Sequence, residues 1–254
     1  MATTRSVNPK LTAPSQLKTT IAGQLSAASL AINNTVGDAE LQALVAVYGY
    51  TAVKIQQGQA LYSAADDAVN TQNVAAGAQR QATLQARAAE QSARATYQAL
   101  AQVARAVFMR DMAARATLGL VGSAPLVAAE FKAAANQLFD NAINIAAISH
   151  TLALYGYDSE RLTRERAALV AFAQADQAQV AAMGAAQQAT RDQQAALTAL
   201  SEWLAQYLKI AKVALCDKPQ LFEKLGGVAR SSRTAAQRQA PKKAAATRTA
   251  RKAA

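Results

Sequence analysis

The chain has 254 residues, 52% of them of apolar type but only 5% aromatic, with 11 glycines, 5 prolines and one cysteine. Ala, Gln, Leu and Arg dominate, which favours helix, and Gly plus Pro is too scarce for a loop-rich β protein. The formal net charge is +11, and it is unevenly placed. From Ala229 onward stand eight cations and no acid; residues 1–228 keep nineteen basic and sixteen acidic residues, a net +3.

Taken in chain order, residues 1–12 read as a flexible N-terminus, 13–122 as a first helical repeat, 123–228 as a second, and 229–254 as a disordered basic tail. The opening "MATTRSVNPKLTAPSQL" has no apolar core of a secretory signal, so a cytoplasmic location is expected, with nucleoid association compatible. The lone Cys216 cannot form an internal disulfide, which fits a reducing compartment. No apolar run reaches 18 residues; the stretch 142–154 carries Asn144, Ser149 and His150 and reads as a buried helix face.

Pro14 suits the first turn of a helix that runs to Tyr48-Gly49-Tyr50. That helix is expected to kink at "NNTVGDAEL", where Asp38 restarts it as an N-cap. Tyr48-Gly49-Tyr50 reads as a corner: Gly49 takes the positive φ of a helix end, and Thr51 caps the next helix. Some 68 proline-free residues follow, closed by Gly119 and Gly122. Pro125 then opens a second passage of the same kind, with its corner at Tyr155-Gly156-Tyr157, a cap at Asp158 and a close at Gly226-Gly227.

The two passages superpose at a shift of 107. Tyr48-Gly49-Tyr50 falls on Tyr155-Gly156-Tyr157, Gly77 on Gly184, Gln81-Ala82-Thr83 on Gln188-Ala189-Thr190, and Leu118-Gly119 on Leu225-Gly226. Upstream, Ala13-Pro14 answers to Ala124-Pro125 at a shift of 111, about one helical turn more. A heptad frame runs without a break through both long segments, from Ile55 to Ala104 and from Leu162 to Ala211; it is apolar at both ends and polar in the middle. Two arrangements suit it: one long helix per repeat, or a hairpin near Gly77 and Gly184. The unbroken phase favours the long helix. The expected fold is all-α: an elongated antiparallel helical bundle or coiled coil of two tandem repeats with pseudo-twofold symmetry.

"YGYDSERL", "SEWLAQYLKIAKVAL" and "DKPQLFEKLGG" resemble a group of uncharacterised bacterial tandem-repeat all-helical proteins, over about 40–228. The resemblance implies a duplicated all-α fold and assigns no site. The ending "APKKAAATRTARKAA" is similar in composition to the basic tails of linker histones, of some bacterial nucleoid proteins and of some phasins, which coat storage granules.

Catalytic signatures are sparse. His150, the one histidine, reads as structural, and Cys216 aligns with Met109 and reads as an apolar seat. There is no Glu-x-x-His pair for a di-iron site, no Cys/His cluster for zinc and no phosphate-cradling Gly-x-x-x-x-Gly-Lys loop. Asp66-Asp67 is expected to face solvent, and Asp158 with Glu160 to serve a helix start. Ser15-Gln16-Leu17-Lys18 matches Ser-x-x-Lys without its companion motifs. No enzyme, metal or cofactor is expected.

The chemistry is concentrated in the tail. Arg230, Arg233, Arg238, Lys242, Lys243, Arg248, Arg251 and Lys252 form a counterion-releasing ligand for a polyanion. The tail has no aromatic residue to stack on bases, so sequence-specific reading is not expected. The resulting expectation is a non-enzymatic scaffold or interaction protein, holding nucleic acid or another polyanion by its tail and protein partners or further copies by its body. The alternative is an amphipathic coat or pore-type helical protein on a membrane or granule surface.

Overall fold

A computed structural model describes residues 10–12, 20–122, 125 and 127–230. Among these, the elements run β1 (Lys10–Thr12), α1 (Ile21–Gly37), α2 (Ala39–Ala46), α3 (Ala52–Val107), α4 (Met112–Thr117), α5 (Ala128–Asn144), α6 (Ala146–Ala153), α7 (Ser159–Ala214), α8 (Pro219–Lys224) and β2 (Val228–Arg230). The body is all-α apart from β1 and β2, which pair antiparallel with Lys10 opposite Arg230. β1 lies in the segment read from sequence as a flexible start, and β2 spans the junction between the second repeat and the segment read as a disordered tail; no residue pattern announces the ladder.

Local chemistry sets the helix ends. Thr20 accepts from the Gly23 amide at 3.0 Å and starts α1. Asp38 ends α1 in an extended conformation, and its Oδ1 accepts from the Glu40 and Leu41 amides at 3.1 Å to start α2. The second passage breaks at the equivalent point, Ile145, which is also extended but has no capping side chain. Pro125 does not open a helix as its position suggests. Val127 is extended (φ −73°, ψ 135°), so α5 starts only at Ala128, and the Pro125 carbonyl accepts from Arg94 Nη1 at 3.2 Å. Ala13, Pro14, Ser15, Lys18 and Ala124 lie outside the described residues.

The two tyrosine corners share one geometry. Gly49 has φ +85° and Gly156 φ +81°, values that cost an L side chain energy and glycine little. The Tyr50 amide bonds the Val45 carbonyl and the Gly49 amide that of Ala46, at 3.1 and 2.9 Å. The Tyr157 and Gly156 amides repeat this on Leu152 and Ala153, both at 3.1 Å. These are the paired bonds that satisfy a helix's last carbonyls when the chain turns away. After the second corner, Asp158 Oδ1 accepts from the Arg161 amide at 2.7 Å and starts α7.

Both long helices are uninterrupted. α3 and α7 each span 56 residues and pass through Gly77 and Gly184 without a break. The hairpin arrangement therefore does not occur. Each helix from α5 to α8 begins and ends 107 positions after its counterpart from α1 to α4. The extra turn suggested by the Ala-Pro pairs is not seen at the starts of α1 and α5.

By contacts the chain forms two compact units, residues 1–71 with 191–254, and residues 72–190. The first gathers α1, α2, the start of α3, the end of α7 and α8. Its core includes Ile32, Leu41, Tyr50 and Ile55 with Leu204, Tyr207, Leu208 and Phe222. Lys224 Nζ bonds Asp38 Oδ2 at 2.8 Å, and Lys218 pairs with Glu40. The second gathers the end of α3, α4, α5, α6 and the start of α7. Its core includes Tyr97, Leu100, Leu118, Phe131 and Phe139 with Leu152, Tyr157, Leu162 and Phe172. Arg166 Nη2 meets Asp140 Oδ1 at 2.7 Å, and Lys132 meets Asp176 Oδ2 at 2.5 Å. In each unit an early stretch of one long helix shares a core with a late stretch of the other, as antiparallel helices do. Ile32, Leu41, Tyr50 and Ile55 of the first core correspond at 107 to Phe139, Ile148, Tyr157 and Leu162 of the second.

Candidate functional site

Of the eight tail cations, only Arg230 falls within the described residues, as the last position of β2. The backbone register places it opposite Lys10, so two basic positions coincide where the tail begins. Arg233, Arg238, Lys242, Lys243, Arg248, Arg251 and Lys252 lie outside the described residues.

The tyrosine corners are the best-defined chemical features of the body. At each, the second tyrosine is buried and the first is exposed: Tyr50 and Tyr157 are both 2% exposed, while Tyr48 and Tyr155 are 50% and 60% exposed. A cation four residues on covers the buried ring. Lys54 Nζ lies 4.6 Å from the Tyr50 ring centre, and the Arg161 guanidinium 3.9 Å from that of Tyr157. Burial pushes both phenols above their ordinary range. At Tyr157 the Glu165 carboxylate adds to this and the Arg161 charge opposes it. Arg161 is itself raised, chiefly by its hydrogen bond to Glu165 Oε1 at 2.8 Å.

The environments then diverge. In the first unit, Tyr50 joins an aromatic cluster: its ring centre is 6.0 Å from Trp203, edge-on, and 5.0 Å from Tyr207, while Trp203 stacks on Tyr207 at 5.3 Å. The Tyr207 hydroxyl pairs with Thr35 Oγ1, which donates to the Ala31 carbonyl at 2.7 Å. Burial pushes the Tyr207 phenol up to about 12, against the smaller opposing effect of its bond to Thr35. The Tyr50 hydroxyl and the Trp203 Nε1 are buried without a hydrogen-bond partner. The second unit has neither hydroxyl pair nor indole at the matching positions: Leu100 stands for Tyr207, Ala142 for Thr35 and Thr96 for Trp203. Sequence reasoning did not single out Thr35, Trp203 or Tyr207 as a cluster. The only available sign was a threonine and a tyrosine where the repeat places alanine and leucine.

The isolated reactive side chains stand apart. His150 is exposed in the last turn of α6. Cys216 is exposed, not set in an apolar seat, because it lies in the turn beyond α7; its counterpart Met109 is 65% exposed. Asp66 and Asp67 are exposed on α3, and Asp158 and Glu160 are exposed at the start of α7. Among the described residues no group of three or more His, Cys, Asp or Glu is placed to hold a metal ion. No described helix is long and apolar enough to cross a membrane.

Comparison of the chain with protein-family models, with curated proteins and with solved structures finds no match.

Proposed function

We propose that this protein is a non-enzymatic helical scaffold, built by tandem duplication, whose C-terminal segment 229–254 holds nucleic acid through its phosphates without reading sequence. The observation that carries the reading is the charge distribution: eight cations and no acid in the last 26 residues, against a net +3 in the rest. Such a segment gains affinity by releasing condensed counterions from the polyanion, and that gain is independent of base identity. The duplication is supported by the shared register of 107 in helix bounds, corners and buried positions. On this reading the body supplies a rigid support and surfaces for protein partners or further copies, in the cytoplasm and on the nucleoid.

The test is retention of duplex DNA at 150 mM salt by the full chain and by residues 1–228. The full chain is expected to shift the DNA and the truncated chain to leave it free. Equal binding by the truncated chain overturns the reading.

A specific observation favours a second reading, attachment to a lipid or granule surface. Each corner exposes an aliphatic–tyrosine pair, Val47 at 80% beside Tyr48 and Leu154 at 83% beside Tyr155. Tyrosine suits the boundary between water and an apolar phase. Flotation of residues 1–228 with vesicles discriminates: co-flotation supports this second reading, and its absence removes it.

A further inference from the structure

We propose that the β1–β2 ladder belongs to the polyanion site: Lys10, opposite Arg230 in the register, joins the N-terminal segment to the tail as a two-cation seat for a backbone phosphate. This inference rests on the function proposed for the tail and extends it to the other end of the chain. Residues 1–37 hold Arg5, Lys10 and Lys18 and no acid, and residues 229–254 hold eight cations and no acid. Residues 38–228 hold sixteen basic and sixteen acidic residues and are neutral. The whole net charge of +11 therefore lies in two acid-free segments at opposite ends of the sequence. The ladder brings these two segments into register, Lys10 with Arg230, Leu11 with Ala229 and Thr12 with Val228.

The first unit holds this meeting point in place. After α8 ends at Lys224, Gly226 turns the chain with φ +79°. The Gly226 and Gly227 amides bond the Glu223 and Phe222 carbonyls at 2.9 and 3.1 Å. A Cβ on Gly227 would run into the buried Phe222 ring, so glycine lets the chain pass close against the first core on its way into β2. β2 contacts α8, and α8 contacts α1. The nearby cations of the body are already matched to acids: Lys218 pairs with Glu40 and Lys224 with Asp38.

The ladder carries an electrostatic cost that a phosphate removes. Positions directly opposite in an antiparallel pair share a face, and like charges there are destabilising. A two-stranded ladder has little stability of its own to set against that repulsion, and this one is three residues long. A phosphate shared by the two positions turns the repulsion into attraction, and bonds from Lys or Arg to phosphate are of the strong, charge-assisted kind. A nucleic-acid backbone supplies such groups in series, so the remaining tail cations have further phosphates to neutralise on the same molecule.

The test measures the affinity of the full chain for duplex DNA at 150 mM salt. One phosphate contact adds about 0.9 to the salt slope, which amounts to about fivefold in affinity at this salt relative to 1 M. Lys10→Gln is therefore expected to weaken binding about fivefold. Lys10→Arg, which keeps the charge, is expected to bind as the wild type does. Arg80→Gln is the control, since Arg80 is exposed on α3 in the other unit and its loss removes the same charge from the chain; it is expected to leave binding unchanged. Residues 1–228 are measured alongside. Loss of binding by residues 1–228 together with undiminished binding by Lys10→Gln overturns the shared seat and leaves the function proposed for the tail standing. Binding by residues 1–228 equal to that of the full chain overturns both. Equal weakening by Lys10→Gln and Arg80→Gln, or by Lys10→Gln and Lys10→Arg, also overturns the shared seat, because net charge or the integrity of the strand then accounts for the effect.

Discussion

The indole of Trp203 occupies the space in which a side chain on Gly58 would stand: a Cβ on Gly58 would come within 2.3 Å of the ring. Glycine inside a helix ordinarily costs about 0.5–1 kcal/mol relative to alanine, and here that cost gives α7 room to bring its tryptophan against α3. At the matching positions of the second repeat stand Glu165 and Thr96, a larger residue in place of the glycine and a smaller one in place of the tryptophan. The usual sign of a Gly→Ala change in a helix should therefore reverse at this site. Gly58→Ala is expected to destabilise by about 1–3 kcal/mol, the typical cost of overpacking. Gly77→Ala and Gly184→Ala, where nothing lies within 4 Å of an added Cβ, are expected to stabilise by about 0.5–1 kcal/mol each. Urea unfolding midpoints check all three, and a Trp203→Ala background should remove the penalty at Gly58.

At the corners the constraint is backbone conformation and not space. Nothing lies within 4 Å of a Cβ on Gly49, and at Gly156 only the Arg161 guanidinium comes near, at 3.8 Å. Both have positive φ. Gly49→Ala and Gly156→Ala are each expected to destabilise by roughly 1 kcal/mol or more. Thermal unfolding of the two single variants measures this, and a neutral effect at both would show that the turns tolerate an L side chain.

The Tyr207–Thr35 pair gives the first unit an alkaline limit. Burial holds the phenol at about 12 against an ordinary 10.0, so on raising the pH the unfolded chain loses this proton first. The contribution is fully present below pH 10 and declines as pH rises towards 12, by about 3 kcal/mol at most. Tyr207→Phe should flatten that part of the stability profile, at the cost of one hydrogen bond, about 1 kcal/mol, at neutral pH. Thr35→Val should cost more, about 1–3 kcal/mol, because it leaves the phenol buried without a partner.

Asp38 sets an acid limit by the opposite sign. Its hydrogen bond to Lys224, then the Leu41 amide, holds the carboxyl below its ordinary value of 3.8. The unfolded chain therefore takes up the proton first as pH falls. The stability linked to Asp38 is present above about pH 4 and is lost as pH falls through the depressed value. Asp38→Asn and Lys224→Met are each expected to weaken that acid dependence, read as a smaller fall in thermal midpoint between pH 5 and pH 3.

The features legible in the sequence were those with strong local chemistry. The unbroken heptad phase from Leu162 to Ala211 marked α7 as one helix, because a loop resets the phase of a buried stripe. Gly49 and Gly156 announced their corners because few residues other than glycine take that backbone conformation readily. Asp38 announced the break after α1 by its capping carboxylate. The matching break at Ile145 was silent, since isoleucine has no capping side chain and instead packs against the second core. The Gly58–Trp203 contact was equally silent: a glycine within a helical pattern does not say which distant side chain fills its space. Cys216 misled because an apolar counterpart, Met109, suggested burial, and both are exposed. The aromatic cluster at Tyr207 needed the fold itself, which brings α1 against α7 across 172 positions of chain.

The central claim, that the tail is the polyanion-binding element, is tested most directly by the salt dependence of duplex DNA binding. If all eight cations contact phosphates, log K for the full chain should fall with log salt concentration at a slope near −7. Residues 1–228 should show weak binding with a much shallower slope. The same steep slope in the truncated chain, or a shallow one in the full chain, would contradict the account.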